Sequence, residues 1–272
     1  MQNRTFLQRF IGASEFGPLV LLIAELAVFT FVNPAFLSAL NISNILTFTV
    51  ELGLIALAMT LLMTAGEFDL SVGSVFGFSA VIMWTLFNAG LMPMGAAFVV
   101  ALAIALFIGW VNGLFVTRLN IPSFLVTLGM LLVVRGTALY ITSGFPQRTW
   151  SAEGSVFADI LVGEFSIGGF RVYMSVLWFV LFVIITHYIL NQTKAGNWIQ
   201  ASGGNAPAAR NRGVNVNRTK VLLFMFSAAM AAFAGIISSI RTSAANPNSG
   251  TGYELEVIAM VVIGGTVLTG GR

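Results

Sequence analysis

The stretch NQTKAGNWIQASGGNAPAARNRGVNVNRTK, residues 191–220, decides how this chain is organised. It separates two apolar runs and contains two lysines and three arginines without a single aspartate or glutamate. Basic residues are retained on the cytoplasmic side of a bilayer. The charge of this stretch therefore predicts a cytoplasmic loop between two membrane-spanning helices.

A short helix is predicted inside this loop. Asn205 is a favourable N-cap, Pro207 is accepted in the first turn of a helix, and Gly213 can end the helix in the left-handed conformation. The helix, of about two turns, would lie outside the membrane with Ala208 and Ala209 as small contact residues. We expect a partner to dock there; the alternative is an ordinary basic loop held by anionic lipid headgroups.

The composition predicts an all-α polytopic membrane protein with a single transmembrane domain over residues 1–272. The chain is 57% apolar and only 8% charged, whereas soluble proteins carry about 25% charged residues. Its net charge of +3 comes from basic residues that flank apolar runs, so nucleic acid is not expected as a partner. The absence of cysteine excludes disulfides and thiolate catalysis.

The common sequence motifs for nucleotide binding, zinc binding and nucleophilic catalysis are absent from the sequence. It contains no GxxxxGK[ST] phosphate loop, no HExxH zinc pair and no GxSxG nucleophile elbow. We therefore expect neither an enzyme nor a cofactor or metal site, and any energy for transport must come from another protein.

Eight apolar runs are candidates for spanning helices, and several are near the lower limit of about 17 residues. They cover approximately residues 16–32, 50–65, 70–87, 94–116, 123–141, 172–190, 221–240 and 253–268. The first is interpreted as an uncleaved helix, because no small-residue cleavage site follows it. Residues 1–16 are expected to form an inner-side tail, and the polar residues 33–44 a surface segment.

Alternation of these runs across the membrane agrees with the distribution of basic residues. Nine of the thirteen are placed inside, Arg148, Arg171 and Arg241 outside, and Arg135 within a span. The outer connection, residues 142–171, is long enough to predict a functional or separately structured segment. We expect an outer docking surface; the alternative is a flexible acidic loop.

The segment GEFDLSVG, residues 66–73, joins two apolar runs and carries Glu67 and Asp69. Charged groups in a membrane must be paired or hydrated. One interpretation is a polar helix break that lines a cavity. The other, which the alternation favours, is a cytoplasmic turn in which Asp69 or Ser71 caps the next helix.

Two further patterns concern the bundle itself. Gly73 and Gly77, and likewise Gly109 and Gly113, have the GxxxG spacing that lets helix backbones approach closely. Most acidic residues are expected near the ends of the apolar runs, and only Glu25 is central. This placement argues against a carrier driven by protonation of carboxylates on facing helices.

Four stretches, taken in order, carry a family resemblance. They are GEFDLSVGSVFGFSA at 66–80, GWVNGLFVTRLNIPSFLVTLGMLLVVRGTALYITSG at 109–144, ASGGNAPAARNRGVNV at 201–216 and GYELEVIAMVVIGGTVLTGG at 252–271. Together they resemble the permease subunits of ATP-binding-cassette (ABC) importers for ribose, xylose and galactose. One departure is Glu67-Phe68, where the commoner family pattern has a second glycine and an aliphatic residue before the aspartate, so Glu67 adds a charge to this turn.

The resemblance implies a fold, partners and a location. The fold would be a helical bundle like that of vitamin B12-type (type II) importers, with further C-terminal spans that this sequence lacks. The partners would be two cytoplasmic ABC ATPase subunits, a periplasmic sugar-binding protein and a second permease, identical or different. The assembly would lie in the lipid of a bacterial inner membrane.

The resemblance also implies a coupling helix that fits a cleft of the ATPase. The positions assigned to it are Ala201, Gly203, Gly204, Asn205, Ala208, Ala209, Arg210 and Gly213. Substrate contacts are expected from hydroxyl, amide and aromatic side chains, because sugars hydrogen-bond at their edges and stack on rings. These candidates are Ser71, Asn112, Phe124 and Thr127. The expected function is ATP-driven sugar import; the alternative is an ion- or proton-coupled secondary carrier.

Overall fold

The computed structural model describes residues 16–148, 155–167 and 170–267, and most of them are helical. Residues 1–15 of the expected inner-side tail lie outside this range. The helices are α1 (Phe16–Val32), α2 (Ala39–Thr64), α3 (Val72–Asn88), α4 (Met94–Arg118), α5 (Ser123–Thr142), α6 (Val156–Val162), α7 (Met174–Gln192), α8 (Lys194–Gly204), α9 (Ala206–Asn211), α10 (Val216–Arg241) and α11 (Tyr253–Ile263). The strands are β1 (Gln147–Arg148), β2 (Glu164–Ile167), β3 (Phe170–Tyr173) and β4 (Ala244–Ala245).

Helix α10 forms the centre of the bundle and packs against α4, α3 and α2. Its contact with α4 is close because Gly109 and Gly113 face the α10 backbone. A Cβ atom at Gly109 would overlap the carbonyl oxygen of Phe224, and one at Gly113 would lie 2.7 Å from the Cα of Val221. The close helix packing predicted from the second GxxxG pattern is confirmed.

Among the described residues, five helices are long and apolar enough to cross a membrane: α2, α4, α5, α7 and α10. Helices α1 and α3 are apolar but have 17 residues each, and α11 has 11. Helix α1 buries no residue, and α7 buries only Ser175 and Thr186. Helix α1 exposes apolar side chains on almost every face, and α7 exposes them on the side that faces away from α2, as lipid-facing helices do.

Helix α2 begins earlier than predicted, so only residues 33–38 of the surface segment expected at 33–44 lie outside a spanning helix, and these are largely exposed. Pro34–Leu37 form a 3₁₀ turn, and Ala39 starts α2. Two polar side chains cap these elements: Asn33 Oδ1 accepts from the Ala35 N–H at 3.0 Å, and Ser38 Oγ from the Asn41 N–H at 3.4 Å. The polar residues therefore initiate helices rather than form a loop.

This extension places Glu51 in the middle of α2 and corrects the view that Glu25 is the only central acid. Glu51 is 2% exposed and pairs with Arg241, the last residue of α10. Arg241 was expected in an outer connection, but it packs against the bundle with its guanidinium 5.1 Å from the ring centroid of Phe48. The buried carboxylate is thus neutralised by a cation from another helix.

The connections meet at two opposite ends of the bundle. At one end β1 pairs with β4, and Asn88 Nδ2 donates to the Arg148 carbonyl oxygen at 3.2 Å. At the other end Asn217 Nδ2 donates to the Thr117 carbonyl oxygen at 3.3 Å. Connections predicted to share a side of the membrane do lie together, in agreement with the alternating order of the helices.

The described part of the long connection 142–171 has its own structure. Helix α6 buries Ala158 and Leu161, and the ring centroids of Phe157 and Phe98 are 5.3 Å apart. Strands β2 and β3 form an antiparallel hairpin. Residues 149–154 and 168–169 lie outside the described ranges. The rest contains a helix and a hairpin, as expected of a separately structured segment.

The segment 246–252 folds back into the bundle against the first turns of α3. A Cβ atom at Gly73 would overlap the Gly250 carbonyl oxygen, and one at Gly77 would lie 2.7 Å from the Ser249 carbonyl oxygen. The first GxxxG pattern therefore accommodates an irregular segment rather than a helix. Helix α11 starts from this segment and ends at Ile263, earlier than the predicted span, because two glycines follow and Gly265 has φ +100°.

Arg135, in the middle of α5, fixes this segment. Its Nη1 donates to the carbonyl oxygens of Pro247 at 2.5 Å and Ser249 at 2.8 Å, and its Nη2 to that of Gly73 at 3.1 Å. Irregular backbone at membrane depth must have its polar groups satisfied by protein or water. The guanidinium supplies donors for three such carbonyl groups.

Candidate functional site

The short helix predicted in the basic loop is present as α9, Ala206–Asn211. Asn205 is its N-cap and accepts a hydrogen bond from the Ala208 N–H at 3.0 Å. Pro207 lies in the first turn. Gly213 follows the helix with φ +85°, the left-handed conformation that ends it. The cap and stop signals in the sequence are confirmed.

The residues before Asn205 form a separate helix that was not predicted from the sequence. Helix α8 begins after Thr193, whose Oγ1 accepts from the Gly196 N–H at 3.3 Å. The predicted coupling segment is therefore two helices with a break at Asn205, and Ala201, Gly203 and Gly204 belong to the last turn of α8. Helix α8 was not predicted because adjacent glycines disfavour a helix. The N-cap residue Thr193 was the signal in the sequence that could have indicated it.

The two alanines of α9 have different environments. Ala208 is exposed, but Ala209 is buried at 4% exposure, so Ala209 packs inside this protein and cannot be a contact residue for a partner. Arg210 Nη2 donates to Asn217 Oδ1 at 3.1 Å, and Asn217 in turn donates to the Thr117 carbonyl. Helix α9 is thereby connected to the start of α10 and the end of α4.

The extra charge of Glu67 is balanced by Lys220. The Nζ of Lys220 lies 2.5 Å from Glu67 Oε1, and the side chains are 16% and 14% exposed. The pair lines a polar pocket of about 240 Å³ together with Thr117, Arg210 and Asn217. This pocket separates α9 from the α2–α3 connection, so the ion pair joins the basic loop to the polar turn.

The α2–α3 connection continues from Glu67 into a fully buried polar cluster. Asp69 Oδ1 accepts from the Ser71 N–H at 2.8 Å and from Ser71 Oγ at 2.6 Å. Asn112 Nδ2 donates to Ser71 Oγ at 3.0 Å, and the Leu70 N–H donates to Thr127 Oγ1 at 3.0 Å. Three of the four predicted substrate contacts, Ser71, Asn112 and Thr127, are thus brought together.

The prediction that Asp69 or Ser71 caps α3 is correct only in part. Ser71 occupies the N-cap position, but its side chain makes no capping hydrogen bond. The side chain of Asp69 instead closes a turn onto Ser71. Asp69 lies between helices, outside every candidate span, and its burial raises the pKa of its carboxyl group, an effect that the hydrogen bonds from Ser71 partly offset.

Several polar atoms at this cluster lack a hydrogen-bond partner within the described part of the chain. They are Asp69 Oδ2 and Asn112 Oδ1. Ser227 Oγ of α10 also makes no hydrogen bond of good geometry to a described residue, although it lies near enough to Asp69 to lower the pKa of its carboxyl group. The residues that carry them are fully buried. Leaving such an atom unsatisfied costs about 1–3 kcal/mol. The cluster therefore has unused capacity to hydrogen-bond a polar molecule once the surrounding helices separate.

Phe124, the fourth predicted substrate contact, lies outside this cluster. Its side chain is 47% exposed on α5, and its ring is edge-on to that of Phe68 with centroids 6.5 Å apart. The sequence predicted an aromatic platform beside the polar groups, but helix geometry turns Phe124 to the outer face of α5.

Comparison with known proteins identifies similar sequences over most of the chain. A family model described as "Branched-chain amino acid transport system / permease component" matches residues 41–271. The ribose import permease protein RbsC of Escherichia coli (strain K12) is 36% identical over 255 residues, which cover 93% of this chain and 78% of that protein. The galactose/methyl galactoside import permease protein MglC of the same strain is 34% identical over 271 residues, covering 94% and 80%. No solved structure matches the chain significantly.

Proposed function

The chain belongs to the family of branched-chain amino acid transport permease components, and from this premise we propose that it imports a monosaccharide or a related small polar solute. It is a multi-pass permease subunit of the bacterial inner membrane, and its relatives are ABC importer permeases rather than enzymes. The names of the relatives, which refer to ribose and galactose, support the proposed substrate class.

The proposed assembly contains two permeases, identical or different, two cytoplasmic ABC ATPase subunits and a periplasmic sugar-binding protein. The single transmembrane domain covers residues 1–272, with the loop 191–220 in the cytoplasm and the connection 142–171 outside. An architecture like that of vitamin B12-type importers, with eight spans, belongs to the proposal. In its favour, the described residues contain five helices long enough to span a membrane and two shorter apolar helices, α1 and α3.

One observation carries the coupling role: α9 is a rigidly capped helix that is exposed on one side and hydrogen-bonded to the bundle on the other. Its exposed side carries Pro207 and Ala208. Its anchored side is connected through Arg210 and Asn217 to α10 and α4. A partner that displaces α9 would therefore displace two helices of the core.

Two polar contacts, linked by residues 67–69 of the chain, lead from α10 to the buried cluster. Lys220 binds Glu67 at the start of the α2–α3 connection, and two residues later Asp69 binds Ser71. In the proposed cycle, ATP-driven closure of the ATPases moves α9, and the helices around Ser71, Asn112 and Thr127 separate. The unsatisfied oxygen atoms of the cluster would then hydrogen-bond the hydroxyl groups of the passing solute.

The decisive experiment is Ala208→Trp, which adds bulk at an exposed position of α9. We expect uptake of labelled ribose or galactose to fall at least about tenfold, a change equivalent to about 1.4 kcal/mol, and the ATPase to be lost from the purified complex. The matched control is Ala35→Trp, the same substitution at an exposed position of the 3₁₀ turn. This control should change neither the uptake nor the retention of the ATPase. Normal uptake and ATPase retention in Ala208→Trp would refute the coupling role.

The same preparation tests the alternative carrier. Vesicles that contain the permease alone should show no uptake driven by an ion or proton gradient. Gradient-driven uptake without an ATPase would contradict the proposed function.

A further inference from the structure

An apolar groove of about 440 Å³ runs between α2, α7, α8 and α10. Its apolar lining includes Leu61, Ile189, Trp198, Ile199, Leu222 and Phe226. The groove lies on the other side of α10 from the Lys220–Glu67 pair and shares no lining residue with the polar pocket there. Neither the coupling role of α9 nor the buried polar cluster accounts for it.

The groove has a buried floor and an open mouth. Leu61 and Leu223 on its floor are 3% and 6% exposed, whereas Trp198 and Leu222 are 46% and 53% exposed. Exposed tryptophan is typical of the interface between lipid headgroups and acyl chains. Because α2, α7 and α10 are spanning helices of a membrane protein, an open apolar groove between them is accessible to lipid.

The mouth of the groove carries a positive charge. Arg218 lines it and is exposed, and within the described ranges no hydrogen bond or ion pair of its side chain is found. The whole stretch 191–220 contains no acidic residue. An apolar cavity that ends at an uncompensated guanidinium is complementary to a molecule with an apolar chain and an anionic head.

We propose that this groove binds an anionic phospholipid, with an acyl chain between α7, α8 and α10 and the phosphate at Arg218. A soluble sugar is excluded as the occupant because the lining offers few polar groups. The proposal does not depend on the coupling role, since α9 itself contributes no residue to the lining. A bound lipid would fix the position of α8, and α8 leads directly into α9.

The test uses the purified full chain in detergent and phospholipids that carry bromine on the acyl chains, which quench nearby tryptophan fluorescence. Brominated phosphatidylglycerol is compared with brominated phosphatidylcholine, and Trp198→Phe identifies the part of the signal that arises at the groove. One basic residue near an anionic lipid changes affinity about fivefold. We expect phosphatidylglycerol to reach half-quenching of Trp198 at a concentration about fivefold lower.

Two arginine variants decide whether the preference belongs to the groove. Arg218→Gln should abolish the preference for phosphatidylglycerol. Arg212→Gln removes the same charge from an exposed position of the same loop that does not line the groove, so it should retain the preference. Size-exclusion profiles and melting temperatures show that both variants are folded.

Three outcomes would overturn the proposal. Equal quenching by the two lipids would show that the head is not recognised, and equal loss in Arg218→Gln and Arg212→Gln would show only general attraction to the basic loop. Protection of Trp198 from both lipids in dimeric protein, with quenching in the monomer, would show that a second copy occupies the groove.

Discussion

The ammonium group of Lys220 lies 2.5 Å from the carboxylate of Glu67 and joins α10 to the connection between α2 and α3. Both side chains are more than four-fifths buried, at 16% and 14% exposure, so water screens the pair only weakly. The family resemblance leads us to expect that Glu67 adds a charge to this turn, and Lys220 balances that charge.

Removal of Lys220 should be more harmful than removal of both charges. Lys220→Met leaves the Glu67 carboxylate without its partner, and we expect a loss of about 2 kcal/mol of stability. The double variant Glu67→Gln/Lys220→Met should be closer to wild type. The melting temperature in detergent measures both effects.

The surface pair Arg171 and Glu164 is the matched control for this experiment. Its atoms are 4.0 Å apart, and the side chains are 65% and 53% exposed. Arg171→Gln should change stability by less than about 0.5 kcal/mol. If Lys220→Met were equally mild, the buried pair would have no structural role.

The cap of α9 should be replaceable only by another hydrogen-bond acceptor. Asn205→Ala removes the acceptor for the Ala208 N–H and should cost about 1 kcal/mol of local helix stability. Asn205→Asp keeps a hydrogen-bond acceptor at this position and should retain the stability of the helix. Hydrogen exchange of the Ala208 amide measures fraying directly, and unchanged exchange in Asn205→Ala would contradict the prediction.

Gly73 should tolerate no side chain, because segment 246–252 occupies the space. Gly73→Ala would place a methyl group against the Gly250 carbonyl oxygen, and overpacking of this kind costs about 1–3 kcal/mol. Gly136 on α5 is the control, since nothing lies within 4 Å of the position that a Cβ atom would take there. Gly136→Ala should be neutral or stabilising, because alanine favours a helix. Equal melting temperatures for the two variants would refute the close contact.

Arg135 should be irreplaceable by lysine. Arg135→Lys keeps the charge but loses the planar guanidinium that reaches three carbonyl oxygens. Its melting temperature should therefore lie below that of the wild type. Arg135→Met leaves all three carbonyl groups unsatisfied and should have the lowest melting temperature of the set. A melting temperature of Arg135→Met equal to that of Arg135→Lys would show that the hydrogen bonds contribute nothing beyond packing.

Helix α9 could be predicted from sequence because its signals are local. A capping side chain, a first-turn proline and a terminal glycine act within a few residues of each other. Ser71, Asn112 and Thr127 could each be noticed as polar residues in or beside apolar runs. Their contact could not be predicted, because Asn112 and Ser71 are 41 residues apart in the chain.

The features of the fold that could not be predicted from the sequence depend on contacts between distant segments of the chain. Glu51 meets Arg241 across 190 residues, and neither residue identifies the other in the sequence. The glycine spacing at Gly73 correctly predicted a close approach, but the absence of a side chain does not specify what approaches. The length of an apolar run likewise could not reveal that α11 begins inside the bundle.

The guanidinium of Arg135 has a consequence for how the permease can change shape. It holds the first turn of α3 and the segment 246–252 to α5, so these three pieces must travel as one rigid unit. Sliding between them would break several hydrogen bonds at once. The hinges of an alternating-access motion are therefore expected outside this unit, at its junctions with the rest of the bundle.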